Sequence, residues 1–261
     1  MTTDRGPSLD GTRLRPERYQ ELLDLDFEAL VAAAQACPEA VIPSCPGWTM
    51  RDLVSHMVGV YRHKAATIDL GEAPPDRVTG GWGDLDPDRD PIEQLREAHT
   101  QIRQRLLEHS IDDPAYTFWP PEQTVGFWVR RMPQETAVHR WDAQAAGESV
   151  PAEIAEDLAL DGVDELLGWL AWDWGDEEAL DGATEQQVVI SSGVHSWTVT
   201  VHPTQFVIAG GIQTDEPDAW ITGPAHDLLL YLWGRGTQNV VESGDREALD
   251  LVRARLHGAT S

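Results

Sequence analysis

The residues best suited to chemistry in this 261-residue chain are Glu135 and His139, four positions apart in the segment ETAVH. A spacing of four places both side chains on one face of a helix, one turn apart. A carboxylate and an imidazole held in this way can bind one divalent metal ion. The same spacing is also common in solvated surface pairs, so on its own it leaves both interpretations open.

A third ligand has to come from another helix, and the candidate is His56 in the apolar segment LVSHMV. A mid-helix histidine in such surroundings is usually a buried or boundary residue. If its helix faces that of Glu135, two histidines and a glutamate form a three-ligand site with one open position, which is the pattern of catalytic zinc. The same ligands suit iron, nickel or manganese, so the residues leave the native metal open.

Other candidate residues carry weaker signals. Cys45 has no histidine or other base near it in the sequence, which argues against a nucleophile. Cys37 and Cys45 are expected to be reduced thiols, although one bridge between them is conceivable. Asp142 is either a hydrogen-bonding partner of a ligand histidine or a surface acid. Most tryptophans, Trp48 among them, are expected to be core residues.

The elements that must position these residues are helices in the first half of the chain. The start of the second helix is marked by Thr49 and Asp52, which form a capping-box pair. The sequence leaves the start of the fourth helix undecided, because Pro133 is either a first-turn residue or a kink in a helix that begins near Phe127. Periodicity and turn residues predict helices over 13–36, 50–70 and 91–109 and a fourth that ends at Gly147.

The periodicity of apolar residues changes in the second half of the chain. A fifth helix is predicted over 152–174, then short strands over 187–191, 196–202, 205–209 and 219–222, then helices over 224–233 and 245–256. The predicted fold class is therefore α+β. A flexible tail (1–12) precedes a four-helix bundle (13–148), and a smaller mixed α/β domain (151–261) follows.

The charge balance excludes some partners. Aspartate and glutamate number 45 against 19 lysines and arginines, which gives a net charge of −26. Nucleic acids and anionic membranes are therefore disfavoured as partners, since both are bound through clustered basic residues. The sequence also contains no apolar run of the ~20 residues that a membrane span needs and no signal-peptide pattern near Met1, so we expect a cytoplasmic protein.

Four segments carry a resemblance to a known family. Residues 45–56 (CPGWTMRDLVSH) resemble the second-helix signature of the mycothiol-dependent maleylpyruvate isomerase family, and residues 130–143 (RRMPQETAVHRWDA) resemble its second signature. Residues 161–167 (DGVDELL) and 223–235 (GPAHDLLLYLWGR) resemble parts of its C-terminal domain. The resemblance implies that the first domain is a DinB-like metal-binding four-helix bundle.

The resemblance also implies a site and a chemistry. His56, Glu135 and His139 would bind a divalent metal, usually zinc, and the thiol cosubstrate mycothiol would approach it. A thiolate, whose formation a metal favours, would then add to a small electrophile. The enzyme would be a cis-trans isomerase acting on maleylpyruvate or a related compound, or a mycothiol S-transferase.

Arg235 is the residue that we expect to bind the substrate. It lies between two glycines after an apolar helix, and a guanidinium there can reach into an interdomain cleft and hold a carboxylate with two bonds. The resemblance places a substrate-binding arginine at this position. The alternative is an arginine that complements the helix dipole.

Two further classes of function stay open. Besides an enzyme, the alternatives are a non-catalytic, metal-containing protein that binds a thiol conjugate and a metal-free structural bundle. Metal content would separate the structural bundle from the other two classes, and turnover would separate those two from each other. Family analogy alone favours a monomer.

Overall fold

The computed structural model describes residues 11–73, 81–147, 150–171, 185–202, 205–236 and 238–260. The chain divides into two compact units, chiefly Leu14–Ile154 and Ala155–Ser261. The first unit contains four helices, and the second contains a five-stranded sheet with three helices, so the α+β prediction is confirmed. Residues 1–10 of the predicted tail lie outside the described residues; of the other two, Gly11 is exposed and Thr12 is buried.

The helices of the first unit pack together as a bundle. Helix α1 packs mainly against α4, and α2 packs mainly against α3. In α2, the Thr49 side chain accepts a hydrogen bond from the backbone of Asp52 and the Asp52 side chain accepts one from that of Thr49, so the predicted capping box is present. The four helices are α1 (Pro16–Ala36), α2 (Met50–Leu70), α3 (Pro91–Glu108) and α4 (Val125–Ala145).

Helix α4 is the most buried helix of the bundle. It begins at Val125, so Pro133 lies inside the helix rather than in its first turn. A proline there has no N–H to donate to the carbonyl of Val129. The charged side chains of Arg130, Arg131 and Arg140 are buried along with the apolar ones, so their charges need partners within the unit.

The second unit starts with α5 (Glu156–Leu170), which begins four residues later than predicted; residues 172–174 lie outside the described residues. The sheet order is β3-β2-β1-β4-β5, with β1 and β4 parallel and the other neighbours antiparallel. The short edge strand β5 was not predicted. The remaining elements are β1 (Gln186–Ser192), β2 (His195–Val201), β3 (Phe206–Gly210), β4 (Ala219–Thr222), α6 (Ala225–Leu232), β5 (Val241–Gly244) and α7 (Arg246–Thr260).

Within the described ranges, no helix combines the length and the apolar character that crossing a membrane requires.

Candidate metal centre

The three residues predicted as metal ligands lie together in the helical unit. His56 lies on α2, and Glu135 and His139 lie one turn apart on α4. The Nε2 atom of His56 is 3.1 Å from Oε1 of Glu135, and Nε2 of His139 is 3.5 Å from the same oxygen. The three ligand atoms all lie within 4.8 Å of one another. Helices α2 and α4 therefore face each other here, as a three-ligand site requires.

The cluster is closed on the α4 side and open on the α2 side. The side chain of His139 is 9% exposed and that of Glu135 is 17% exposed, whereas that of His56 is 32% exposed. A small molecule can therefore approach the cluster past His56. Such an arrangement is typical of a site that keeps one position free for a ligand from solution.

Asp142 fixes the orientation of His139. Its Oδ2 atom is 2.9 Å from Nδ1 of His139, and its side chain is fully buried. Ser44 donates a hydrogen bond to Oδ1 at 2.5 Å, and the thiol of Cys45 donates one to Oδ2 at 3.7 Å. Because an ionised carboxylate only accepts hydrogen bonds, Nδ1 carries a proton and Nε2 is turned towards Glu135. Asp142 is thus a buried partner of His139, which is a candidate ligand, and the alternative of a surface acid is wrong.

Glu135 is held in its ionised form. Arg131, one turn earlier on α4, donates a hydrogen bond to Oε2, which leaves Oε1 facing the two histidines. Burial raises the pKa of Glu135, but the charge of Arg131 and the hydrogen bonds with His139 and His56 together outweigh it. The pKa of this carboxyl is therefore well below its usual range. A deprotonated carboxylate is the form that binds a metal ion.

The surroundings of His139 favour positive charge. Burial lowers the pKa of this imidazole, but the hydrogen bonds and charges of Asp142 and Glu135 raise it to about 9. The two carboxylates thus stabilise a cation at this point in spite of burial. A divalent cation at the cluster would experience the same field, so the donor set and its charge both fit a metal ion.

The loop before α2 supplies the rest of the site. A backbone hydrogen bond from Ile42 to Trp48 closes this loop, which brings Ser44, Cys45 and Trp48 to the cluster. The ring of Trp48 lies 5.0 Å from that of His56 and 6.3 Å from that of His139, centroid to centroid. Trp48 is only half-buried, so its prediction as a core residue is wrong. The sequence position of Trp48 could have indicated its place at the site. Trp48 directly precedes Thr49, the N-cap of the helix that carries His56.

A second group of ligand atoms overlaps the first. Cys45, His139 and Asp142 also lie close enough together to hold a metal ion. Asp142, however, already accepts hydrogen bonds on both oxygens, and its Oδ2 faces the Nδ1 side of His139. The first group has the more exposed ligand and a carboxylate oxygen directed at two imidazoles, so it is the better candidate.

Arg235 lies in the second unit, three residues after the end of α6. Its guanidinium donates a hydrogen bond to the carbonyl of Trp233 at 2.8 Å and lies 5.8 Å from the centroid of that tryptophan's ring. A contact with a carbonyl at a helix end is what the dipole alternative expects. The half-buried side chain also fits a binding residue, so its role towards substrate stays a prediction.

Comparisons with known proteins identify the family. The sequence model of the mycothiol maleylpyruvate isomerase N-terminal domain matches residues 22–144, and that of the C-terminal domain of the same enzymes matches residues 157–251. The chain belongs to the mycothiol-dependent maleylpyruvate isomerase family. Both matched regions contain predicted site residues: the N-terminal match includes the three candidate ligands, and the C-terminal match includes Arg235.

Solved structures of the family's namesake share the fold. A crystal structure of the mycothiol-dependent maleylpyruvate isomerase and one of its histidine-to-alanine mutants are both 16% identical to this chain. The TM-scores are 0.60 and 0.62, and each alignment covers 89% of this chain and 95% of the other. A search of curated proteins finds no match.

Proposed function

We propose that this member of the family is a divalent-metal- and mycothiol-dependent enzyme that adds a thiolate to a small electrophile. The metal is zinc in our proposal, and His56, Glu135 and His139 are its ligands. The observation that carries the proposal is the convergence of these three side chains around Oε1 of Glu135, open on the side of His56. That the protein is a cytoplasmic monomer stays a prediction.

The metal would lower the pKa of a thiol brought close to it, so that the thiolate is available at neutral pH. The protein's own residues prepare the site for this. Arg131 keeps Glu135 ionised, and Asp142 accepts the Nδ1 proton of His139, so Nε2 is the nitrogen that would lose its proton and bind the metal beside Oε1 of Glu135. The ring of Trp48 lies beside both imidazoles and forms part of the wall of the site.

The reaction follows from thiolate chemistry. In an isomerase, the sulfur forms a bond to one carbon of an activated double bond, the resulting single bond rotates, and the same carbon–sulfur bond breaks. The thiolate is regenerated, so no atoms are gained or lost. In an S-transferase, the adduct is kept after protonation, or the sulfur displaces a leaving group. The same site serves both reactions, and we propose the isomerase or transferase class rather than one substrate.

We also propose that Arg235 binds an anionic group of the substrate. A guanidinium holds a carboxylate with two parallel hydrogen bonds, and the net charge of −26 means that an anionic substrate needs a local cation. The half-buried position of Arg235 after α6 supports this role, since partial burial strengthens an ion pair.

Glu135→Ala is the variant that tests the proposal. We expect the purified wild-type protein to contain about one metal ion per chain and to show turnover with mycothiol, but not with glutathione or cysteine, when maleylpyruvate and simple electrophiles are offered. Glu135→Ala should lose both metal and turnover, because the site loses its only anionic ligand. Glu97→Ala, which removes an exposed glutamate paired with Arg89, is the matched control and should behave like the wild type.

Three outcomes would contradict the proposal. Full metal content and activity in Glu135→Ala would refute the ligand assignment. Metal without thiol-dependent turnover would favour a protein that binds a thiol conjugate. A metal-free protein whose His56→Ala variant melts at the wild-type temperature would favour a structural bundle.

A further inference from the structure

A cavity of about 330 Å³ lies beside the candidate metal centre, within the helical unit. One side is a stripe of α2 that runs from Ser55 and His56 to Lys64, and the other side is formed by Trp82 and Gly83. Its volume lies in the range of small-molecule sites. His56 lines this cavity and is also the most exposed of the three candidate ligands, so the cavity and the cluster share this residue.

The segment that forms the wall opposite α2 lies very close to that helix. Ser55 donates a hydrogen bond to the carbonyl of Gly83 at 2.6 Å, and Arg62 donates to the carbonyl of Asp84 at 3.3 Å. A Cβ atom on Gly83 would lie 2.7 Å from the carbonyl oxygen of Ser55, and one on Gly59 would lie 3.0 Å from Gly83. Glycines at both positions therefore let this segment lie directly on the helix, and the cavity has a fixed wall.

Lys64 marks the far end of the cavity. It follows His56 by eight residues on α2, which is about 12 Å along the helix axis. Its ammonium lies 4.8 Å from the ring centroid of Trp128, and Trp128 precedes Glu135 by seven residues on α4, or about 10 Å. Both helices therefore place the ammonium about two turns from the cluster. Lys64 is half-buried and lines the cavity at this end.

We infer that this cavity binds the electrophile and that Lys64 pairs with a carboxylate of it. The geometry favours an elongated oxo-acid that, with the thiolate sulfur at one end and the ion pair at the other, spans the two helical turns between the cluster and the ammonium. Between these two ends the cavity is lined by Gly59, Val60, Trp82 and the imidazole of His63, which suits a carbon chain with a polar oxo group. This inference rests on the proposed function for the identity of the ligand as the electrophile.

Lys64 would thereby have a binding role that no pattern in the sequence predicts. A chain with a net charge of −26 repels anions at long range, so an anionic substrate needs a cation at the place where its carboxylate binds. Lys64 supplies one inside the unit that holds the candidate metal ligands. Arg235 and Lys64 are consequently separable candidates for carboxylate binding, and the experiment compares them directly.

The test uses the intact metal-loaded protein and succinylpyruvate, the saturated analogue of maleylpyruvate, which has no double bond to attack. Titration calorimetry would measure its dissociation constant for the wild type, Lys64→Gln, Lys64→Arg and Arg235→Gln. We expect Lys64→Gln to weaken binding about tenfold or more, because a charge-assisted bond is lost, and Lys64→Arg to restore most of the affinity. The neutral dimethyl ester should bind the wild type and Lys64→Gln equally, and zinc content should not change.

Kinetics provide a second readout. For maleylpyruvate, Lys64→Gln should raise KM about tenfold with a smaller change in kcat, since the ammonium binds the substrate away from the reacting carbon. Equal affinity of the wild type and Lys64→Gln for succinylpyruvate would overturn the inference, as would no binding to the wild type or a loss confined to Arg235→Gln. If binding depends on Lys64 but no thiol-dependent turnover exists, the carboxylate site stands and the proposed function fails.

Discussion

Two histidines of the helical bundle are equally buried and have opposite acid–base properties. His99 on α3 and His139 on α4 each have side chains that are 9% exposed. The ring of His99 stacks on Phe27 with a centroid distance of 3.6 Å, and burial lowers its pKa to about 4 although Asp24 opposes the shift. The hydrogen bonds of His139 with Asp142 and Glu135 overcome burial and raise its pKa to about 9.

The difference shows what distinguishes a structural histidine from a candidate ligand. Burial alone keeps an imidazole neutral, and stacking on an aromatic ring then makes it part of the core. Buried carboxylates around an imidazole create a place where a cation is stable. The free energy lost when these carboxylates leave water is offset only if a positive charge lies beside them. The region of His139 is therefore suited to a metal ion, and the region of His99 is not.

The largest expected effect comes from exchanging the two histidines for apolar residues. His139→Ala should lose zinc and reduce mycothiol-dependent turnover about a thousandfold or more, since a metal contributes several kcal/mol to such chemistry. His99→Phe should keep the stacking on Phe27, the zinc and the activity. Metal analysis and steady-state kinetics on both variants would check this. Retention of zinc by His139→Ala would remove the distinction between the two regions.

A smaller effect is expected from the carboxylate that orients His139. Asp142→Asn keeps the size of the side chain and a possible acceptor for Nδ1 but removes the charge. We expect zinc affinity to fall about 10–100-fold, as is typical when the hydrogen-bonding partner of a ligand histidine is altered. Competition with a chelator of known affinity would measure it. Ser44→Ala, which leaves the carboxylate in place, should weaken binding less; a larger loss in Ser44→Ala than in Asp142→Asn would contradict this explanation.

The last prediction leaves the candidate metal centre unaffected and concerns the pH dependence of stability in the region of His99. The folded-state pKa of about 4 lies below the usual 6.5, so between these values the unfolded chain binds more protons than the folded one. Above pH 6.5 the neutral His99 does not reduce the free energy of unfolding. As the pH falls towards 4, the free energy of unfolding decreases by at most about 3 kcal/mol.

His99→Phe removes this titration, so urea unfolding at pH 7 and pH 4 should show a smaller loss of stability for the variant than for the wild type. The carboxylates of the chain titrate similarly in both proteins, so their contributions to the loss of stability cancel in the difference. The same loss in both proteins would show that burial does not hold His99 neutral.

Local signals were sufficient to predict much of the helical unit. The bounds of α2 agree with its capping box and with Gly71, which adopts a left-handed conformation (φ 68°) at the C-cap. The spacing of Glu135 and His139 placed both on one helix face, where the structure also has them. The start of α4 stayed open because Pro133 fits both a first turn and a helix interior.

Contacts between distant parts of the sequence explain what was missed. Ser44 and Cys45 meet Asp142 across 98 and 97 positions, and no local pattern encodes such a pairing. The residues before α5 were predicted as helix, but the carbonyls of Ala152 and Glu153 accept hydrogen bonds from Arg140 instead. Strand β5 (VESG) is a largely exposed edge strand with a single large apolar residue, so its sequence contains no apolar alternation to recognise.

The central claim is that one metal ion, held by His56, Glu135 and His139, is required for thiol chemistry. The most direct test is to strip the protein of metal and add zinc in fractions of an equivalent while mycothiol-dependent isomerisation of maleylpyruvate is followed. We predict that activity rises in proportion to zinc and saturates at one equivalent per chain, and that His56→Ala does not respond. Full activity of the stripped protein, or an equal response of His56→Ala, would contradict the claim.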